Sequence, residues 1–133
     1  MRVRFRIATT LTLAVLAAGC DLPPGPSPPI VTETFSGAVG PQGASVYRFV
    51  VVSSSTVSVR LSEVEPTAIV LGLGLGTPRN DIECTLVSSN PSAVVQERPQ
   101  ISVTTSPGVY CVRVFDTGGV SSSAAFSVVV THS

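Results

Sequence analysis

The chain has 133 residues, of which 44% are hydrophobic, 12% charged and only 5% aromatic, with no tryptophan and no lysine. Its formal charge is zero, yet three of the eight arginines sit at Arg2, Arg4 and Arg6, so that from Cys20 onward five arginines face eight acids, a net charge of −3. That leaves no basic stripe to follow a phosphate backbone, which excludes nucleic acid as a partner.

The first element is not part of a fold. The arginine-bearing start is followed by Ile7 to Ala18, an apolar and uncharged run of twelve residues. A hydrocarbon core needs about 20 residues to cross, and a charged start, a short apolar stretch and small residues at its end are the parts of an export signal. A buried helix would instead be amphipathic. The end of the run, Leu16-Ala17-Ala18-Gly19-Cys20, resembles the lipobox of bacterial lipoproteins, with one departure: the place three before the cysteine, usually Leu, holds Ala17. The resemblance implies cleavage after Gly19, lipid on Cys20 and no lasting structure for 1–19. It also implies attachment to a membrane of the cell envelope, outside the cytoplasm. One acyl chain binds a bilayer only marginally, so two or three are needed for stable anchoring. Asp21 resembles the residue that retains enteric lipoproteins in the inner membrane. That rule is not universal, so the membrane and leaflet stay open.

Residues 20–30 then hold five prolines between Pro23 and Pro29. They favour an extended polyproline stem, about 3 Å per residue. The remaining 31–133 suffice for one domain with one core. This segment is rich in valine, serine and threonine, with period-two runs separated by turn signals. It reads as all-β, a single antiparallel, jelly-roll-like sandwich of about eight strands. The expected strands are 31–38, 45–53, 56–63, 67–75, 82–88, 100–105, 108–116 and 124–131. Val57, Val59 and Leu61 alternate with Ser58, Arg60 and Ser62, and Ile101 and Val103 with Ser102 and Thr104. The turns are placed at 40–43, 77–81, 89–92 and 118–119.

Within the fourth strand, Leu71, Leu73 and Leu75 alternate with Gly72, Gly74 and Gly76. A phosphate-binding glycine loop must open a helix, and the alternation followed by Thr77-Pro78 denies one. A strand with a leucine face in the core and a bare glycine face fits better. Bare glycine marks a close approach, by a neighbouring backbone or by a partner. Gly72, Gly74 and Gly76, with Phe115 as the aromatic most free to be exposed, form the expected contact surface, joined by the loops 77–81 and 116–123.

With Cys20 lipidated, Cys84 and Cys111 remain, and in an oxidising compartment two such cysteines pair. A redox pair would want CxxC spacing. Zinc would want four ligands, and His132 supplies only a third. Asp81, Glu83 and Asp116 are scattered, and calcium takes six to eight oxygens, so neither metal nor cofactor is expected.

Thr34-Phe35-Ser36-Gly37, Ser45-Val46-Tyr47-Arg48-Phe49, Pro107-Gly108-Val109-Tyr110-Cys111-Val112-Arg113-Val114 and Ala125 to Val130 resemble bacterial pre-peptidase C-terminal domains. These are small β-sandwiches attached to secreted enzymes, and the likeness spans most of 32–131. The middle strand here lacks the acids that family often carries, and no peptidase accompanies it. The resemblance implies a carbohydrate- or matrix-binding accessory module. Catalysis is not expected: His132 is the one histidine, no serine lies in a nucleophile elbow, and Glu63 and Glu65 on one strand face read as a solvated surface. The favoured reading is a non-catalytic envelope lipoprotein that acts as a protein-interaction or structural module. Its partner would be an envelope protein or a glycan.

Overall fold

A computed structural model describes residues 19–133. The expected export signal lies outside the described residues, Gly19 excepted. Gly19 to Ile30 carry no regular structure and are exposed. Among the described residues no helix is long and apolar enough to cross a membrane.

Eight strands follow: β1 (Val31–Val39), β2 (Ala44–Val51), β3 (Ser55–Glu65), β4 (Leu71–Pro78), β5 (Cys84–Ala93), β6 (Ile101–Thr105), β7 (Gly108–Asp116) and β8 (Ala124–His132). They form two four-stranded sheets, β1-β8-β3-β6 and β2-β7-β4-β5, with every pairing antiparallel. The order follows a simple rule. β1 pairs β8, β2 pairs β7, β3 pairs β6 and β4 pairs β5. The chain is one long hairpin, its tip between β4 and β5, folded over so that successive pairs enter alternate sheets, and β3–β8 and β4–β7 stitch the pairs together. This is the jelly roll.

The alternation of the sequence becomes the two faces of each sheet. Val57, Val59, Leu61, Val128 and Val130 from one sheet meet Leu71, Leu73, Leu75, Val112 and Val114 from the other, all with no exposed surface. Each such side chain contributes about 1.5–3 kcal/mol by leaving water. Phe49 and Val51 extend the layer, and the Tyr47 ring stacks on Phe35 at 5.1 Å. Both tyrosines keep their hydroxyls wet or paired: Tyr47 donates to Ser36 O at 3.1 Å and Tyr110 to Ser106 O at 2.8 Å. Each ties a strand to a neighbouring segment.

Several boundaries differ from the sequence reading. β4 starts at Leu71, not 67, because the chain turns at 66–69, where Ile69 N–H donates to Pro66 O at 3.2 Å, and crosses there between the sheets. Thr77 and Pro78, expected in a turn, close β4. Likewise Asn90-Pro91, also expected in a turn, lies inside β5. Both prolines are tolerated for positional reasons: Pro78 ends its strand and Pro91 is on an edge strand. β3 runs to Glu65 by way of a bulge between Leu61 and Glu63. The extra residue, Ser62, lets Leu61 and Val64 both point inward.

Candidate functional site

The bulge in β3 shapes the outer face of its sheet. Ser62 and Glu63 both turn outward there, and Glu65 follows beyond buried Val64. Gln100, just before β6, secures the kink: Leu61 N–H donates to Gln100 Oε1 at 2.7 Å, and the Gln100 side-chain amide donates in turn to Val94 O. β6 pairs β3 only as far as Val59, so beyond that point the 94–100 segment flanks β3 and brings Val95 to its side.

Across the sheet stand small residues, Ala125 and Ser127 of β8 and Ser36 of β1. Together they leave a groove of about 660 Å³, lined by Ser36, Ser62, Glu63, Glu65, Thr67 and Val95 above a floor at Ala125 and Ser127. That volume is within the range of about 300–1,000 Å³ typical of ligand sites.

The hydroxyls of the groove form a relay. Ser127 Oγ donates to Glu63 Oε2 over 3.4 Å, and Ser36 Oγ lies 2.7 Å from Ser127 Oγ. Ser62 Oγ donates to Ser127 O at 3.0 Å. The ion pairs of the described arginines go elsewhere: Arg48 to Asp81 at 3.0 Å, Arg60 to Glu97 at 3.8 Å and Arg79 to Glu83 at 4.0 Å. Glu63 and Glu65 therefore carry two negative charges into the groove with no cation among the described residues paired to either.

The groove and the point where the proline-rich 20–30 segment enters β1 are at opposite ends of the same sheet. β1 begins where Val31 pairs His132, directly after Ile30, whereas Ala125 pairs Glu65 and Ala38 near the other end. Five residues of strand separate Val31 from Ser36, roughly 17 Å.

The expected glycine surface has a different character. Gly72, Gly74 and Gly76 do point outward, opposite Leu71, Leu73 and Leu75, but all three are buried. A Cβ on Gly72 would stand 2.3 Å from the Phe115 ring, and one on Gly74 would stand 2.5 Å from Leu86 Cδ2. At Gly76 the covering group is backbone, with Thr85 O at 1.9 Å. The close approach inferred from bare glycine is thus made by the chain itself. Phe115 is partly exposed, with the Arg113 guanidinium 5.2 Å from its ring centre, and these two side chains, with half-buried Leu86, are what cover the glycine row.

Cys84 and Cys111 form a disulfide. It joins β5 to β7, which are not neighbours, and so passes over the outer face of β4 at Gly76, the partner of Cys111. The two Cα atoms are 5.9 Å apart, well under two strand spacings of about 4.8 Å each. β5 has curled onto β4, and only a residue without a side chain fits beneath.

The loops expected to join the contact surface lie at opposite ends of β4. At the 79–83 tip, Asn80 Oδ1 accepts from the N–H groups of Ile82 and Glu83, both at 2.9 Å. At the other end Asp116 is an organiser that the sequence reading left unused. Its carboxylate accepts from Gln42 N–H at 2.9 Å, Gly118 N–H at 2.8 Å and Val120 N–H at 3.0 Å. The Gln42 bond, followed by that of Gly118, holds its carboxyl below the ordinary value of 3.8. His132, considered as a metal ligand, is buried on the inner face beside the start of β1. There it lies 2.8 Å from Glu33 and stacks on Phe49 at 5.3 Å. It faces the core, whereas both cysteines of the bridge lie on the outer face of the other sheet. Among the described residues no group of three His, Cys, Asp or Glu could hold a metal ion. Cys20 is exposed and outside the disulfide.

No family model and no curated protein matches this chain.

Proposed function

We propose that the protein is a non-catalytic, membrane-tethered interaction module of the bacterial cell envelope. In this reading lipid on Cys20 holds it outside the cytoplasm, the proline stem at 22–29 spaces it from the bilayer, and the jelly roll presents a binding surface. The observation that carries it is the placement of the groove toward the end of the β1-β8-β3 face opposite the stem. A tether at Ile30 leaves that end free to meet a partner. The chemistry of the groove supports binding over catalysis. Its serine relay ends on a carboxylate, and the single histidine lies on the inner face at the far end of β8.

A second reading is a carbohydrate- or matrix-binding accessory module of the pre-peptidase C-terminal type. The hydroxyls of Ser36, Ser62, Thr67 and Ser127 in the groove favour it. The absence of an exposed aromatic platform there weighs against it, since Phe126 is 97% buried.

The test is capture from membranes. Full-length protein and its Cys20→Ser variant are expressed in a bacterial host, crosslinked gently and extracted with detergent. Intact mass should show acyl chains on the first and none on the second. A stoichiometric envelope protein in the crosslinked sample supports the interaction reading. A soluble, unlipidated wild-type protein overturns it.

A further inference from the structure

The groove has a donor and acceptor inventory that selects its ligand. Because the Ser127 proton points to Glu63 Oε2, the 2.7 Å contact between Ser36 and Ser127 uses the Ser36 proton. The Ser62 proton goes to Ser127 O. Three hydroxyl protons are thus spent within the wall. What Ser36, Glu63 and Glu65 turn to the groove is lone pairs and negative charge. A neutral sugar hydroxyl must both give and accept protons, and it meets few donors here. An ammonium or guanidinium group only donates, and apart from the Thr67 hydroxyl at the rim it meets side-chain acceptors.

The spacing narrows the choice further. Glu63 and Glu65 are two residues apart on one strand, with Cα atoms about 6.6 Å from each other. Side chains two apart on an extended peptide have the same repeat. The half-exposed Val95 side chain and Thr67 at the rim give apolar surface for the methylene stems of such side chains.

We propose that the groove receives an extended, basic peptide segment of a partner protein, with lysine or arginine side chains two residues apart seated on Glu63 and Glu65. This rests on the reading of the protein as an interaction module, and names the chemistry of its partner.

The experiment uses the detergent-solubilised full chain and a fluorescein-labelled peptide with a central Lys-Thr-Lys, read by anisotropy. The same peptide with both lysines replaced by glutamine is the control, and a neutral N-acetylglucosamine oligomer competes. Expected results are binding of the lysine peptide, weakening of about threefold for Glu63→Gln or Glu65→Gln alone and about tenfold for both together, and loss at high salt. Glutamine keeps the shape and hydrogen bonds of the wall, and circular dichroism checks that each variant is folded. Ala125→Phe keeps both charges but fills the floor, and should also abolish binding. Equal binding of the glutamine peptide, indifference to the double variant, or preference for the neutral N-acetylglucosamine oligomer overturns the proposal. If membrane capture finds an envelope partner that the double variant holds equally well, the groove assignment falls while the interaction-module reading stands.

Discussion

Alanine substitution along the glycine row separates three kinds of covering group. At Gly74 the new methyl meets the Leu86 tip at 2.5 Å and 2.6 Å. That side chain is partly exposed and can turn aside, for about 1 kcal/mol, the low end of overpacking costs. At Gly72 it meets the Phe115 ring at 2.3 Å, and the ring must swing out from under Arg113, at about 2 kcal/mol. At Gly76 it meets Thr85 O at 1.9 Å and Leu86 Cα at 2.8 Å, so backbone must retreat by roughly 1.5 Å to reach ordinary contact. Cys84 adjoins Thr85 and moves with it. A Cα separation of 5.9 Å would then pass the upper limit of about 6.8 Å for a disulfide. Overpacking of about 2 kcal/mol and loss of a cross-link worth about 3.5 kcal/mol together approach the whole stability of a small domain. The measurement is equilibrium unfolding in guanidinium by circular dichroism, with free-thiol titration of each variant. Gly76→Ala should expose two thiols and fall far below Gly74→Ala. A Gly76→Ala protein that is fully oxidised and as stable as Gly74→Ala would refute the account of β5 lying over β4.

Other outcomes follow from the same geometry. Reduction of the Cys84–Cys111 bridge, which closes a separation of 27 residues, should lower stability by about 3.5 kcal/mol on the loop-entropy view, read as a shifted unfolding midpoint at unchanged strand content. Leu73→Ala, at a position with no exposed surface, should cost about 3 kcal/mol in the same assay. Gln42 has φ of 57° at the third place of the turn closed by Gly43 N–H to Gly40 O at 3.0 Å. Gln42→Gly should therefore raise the melting temperature slightly, because glycine takes that conformation freely and the N–H to Asp116 is kept. The folded Asp116 carboxyl titrates below its ordinary value, so its contribution is present above the unfolded value and is lost as pH falls through the folded one. Wild type should exceed Asp116→Asn in stability at neutral pH, with the gap narrowing below about pH 4. A gap independent of pH would count against the carboxylate's role.

Much of this architecture is legible in the residues. Val57, Val59 and Leu61 alternate cleanly, and they are the buried face of β3. The existence of all eight strands follows from such runs, and the cysteine pairing from the small number of candidates. Boundaries at Pro78 and Pro91 are misread because proline marks a turn in most contexts, and only the sheet order shows that β5 is an edge. The covering of the glycines is not legible, because it depends on which residues of β5 and β7 lie beside Gly72 and Gly76. The groove is hidden for a similar reason. Ser36 and Ser127 are 91 residues apart, and their meeting with Glu63 depends on one bulged residue, Ser62, whose neighbours give no local signal. Asp116 looked like one of several scattered acids because its partners are backbone N–H groups, which a sequence does not single out.

The position of β8 between β1 and β3 governs the order in which this domain can assemble. A chain delivered N-terminus first has β1 and β3 in hand early, but they never pair with each other and share only β8, whose residues come last. The hairpin tip can close at once, the β3–β6 pairing once β6 arrives and the β2–β7 pairing soon after β7, whereas β1 and the other edge of β3 wait for residues 124–132. Until then β1 and β3 keep unpaired edges of valine, threonine and serine, the kind of surface that seeks strands from other chains. Contacts this distant in sequence also close slowly. Truncation within the last strand should therefore leave no partly folded sandwich, but an insoluble or proteolysed chain.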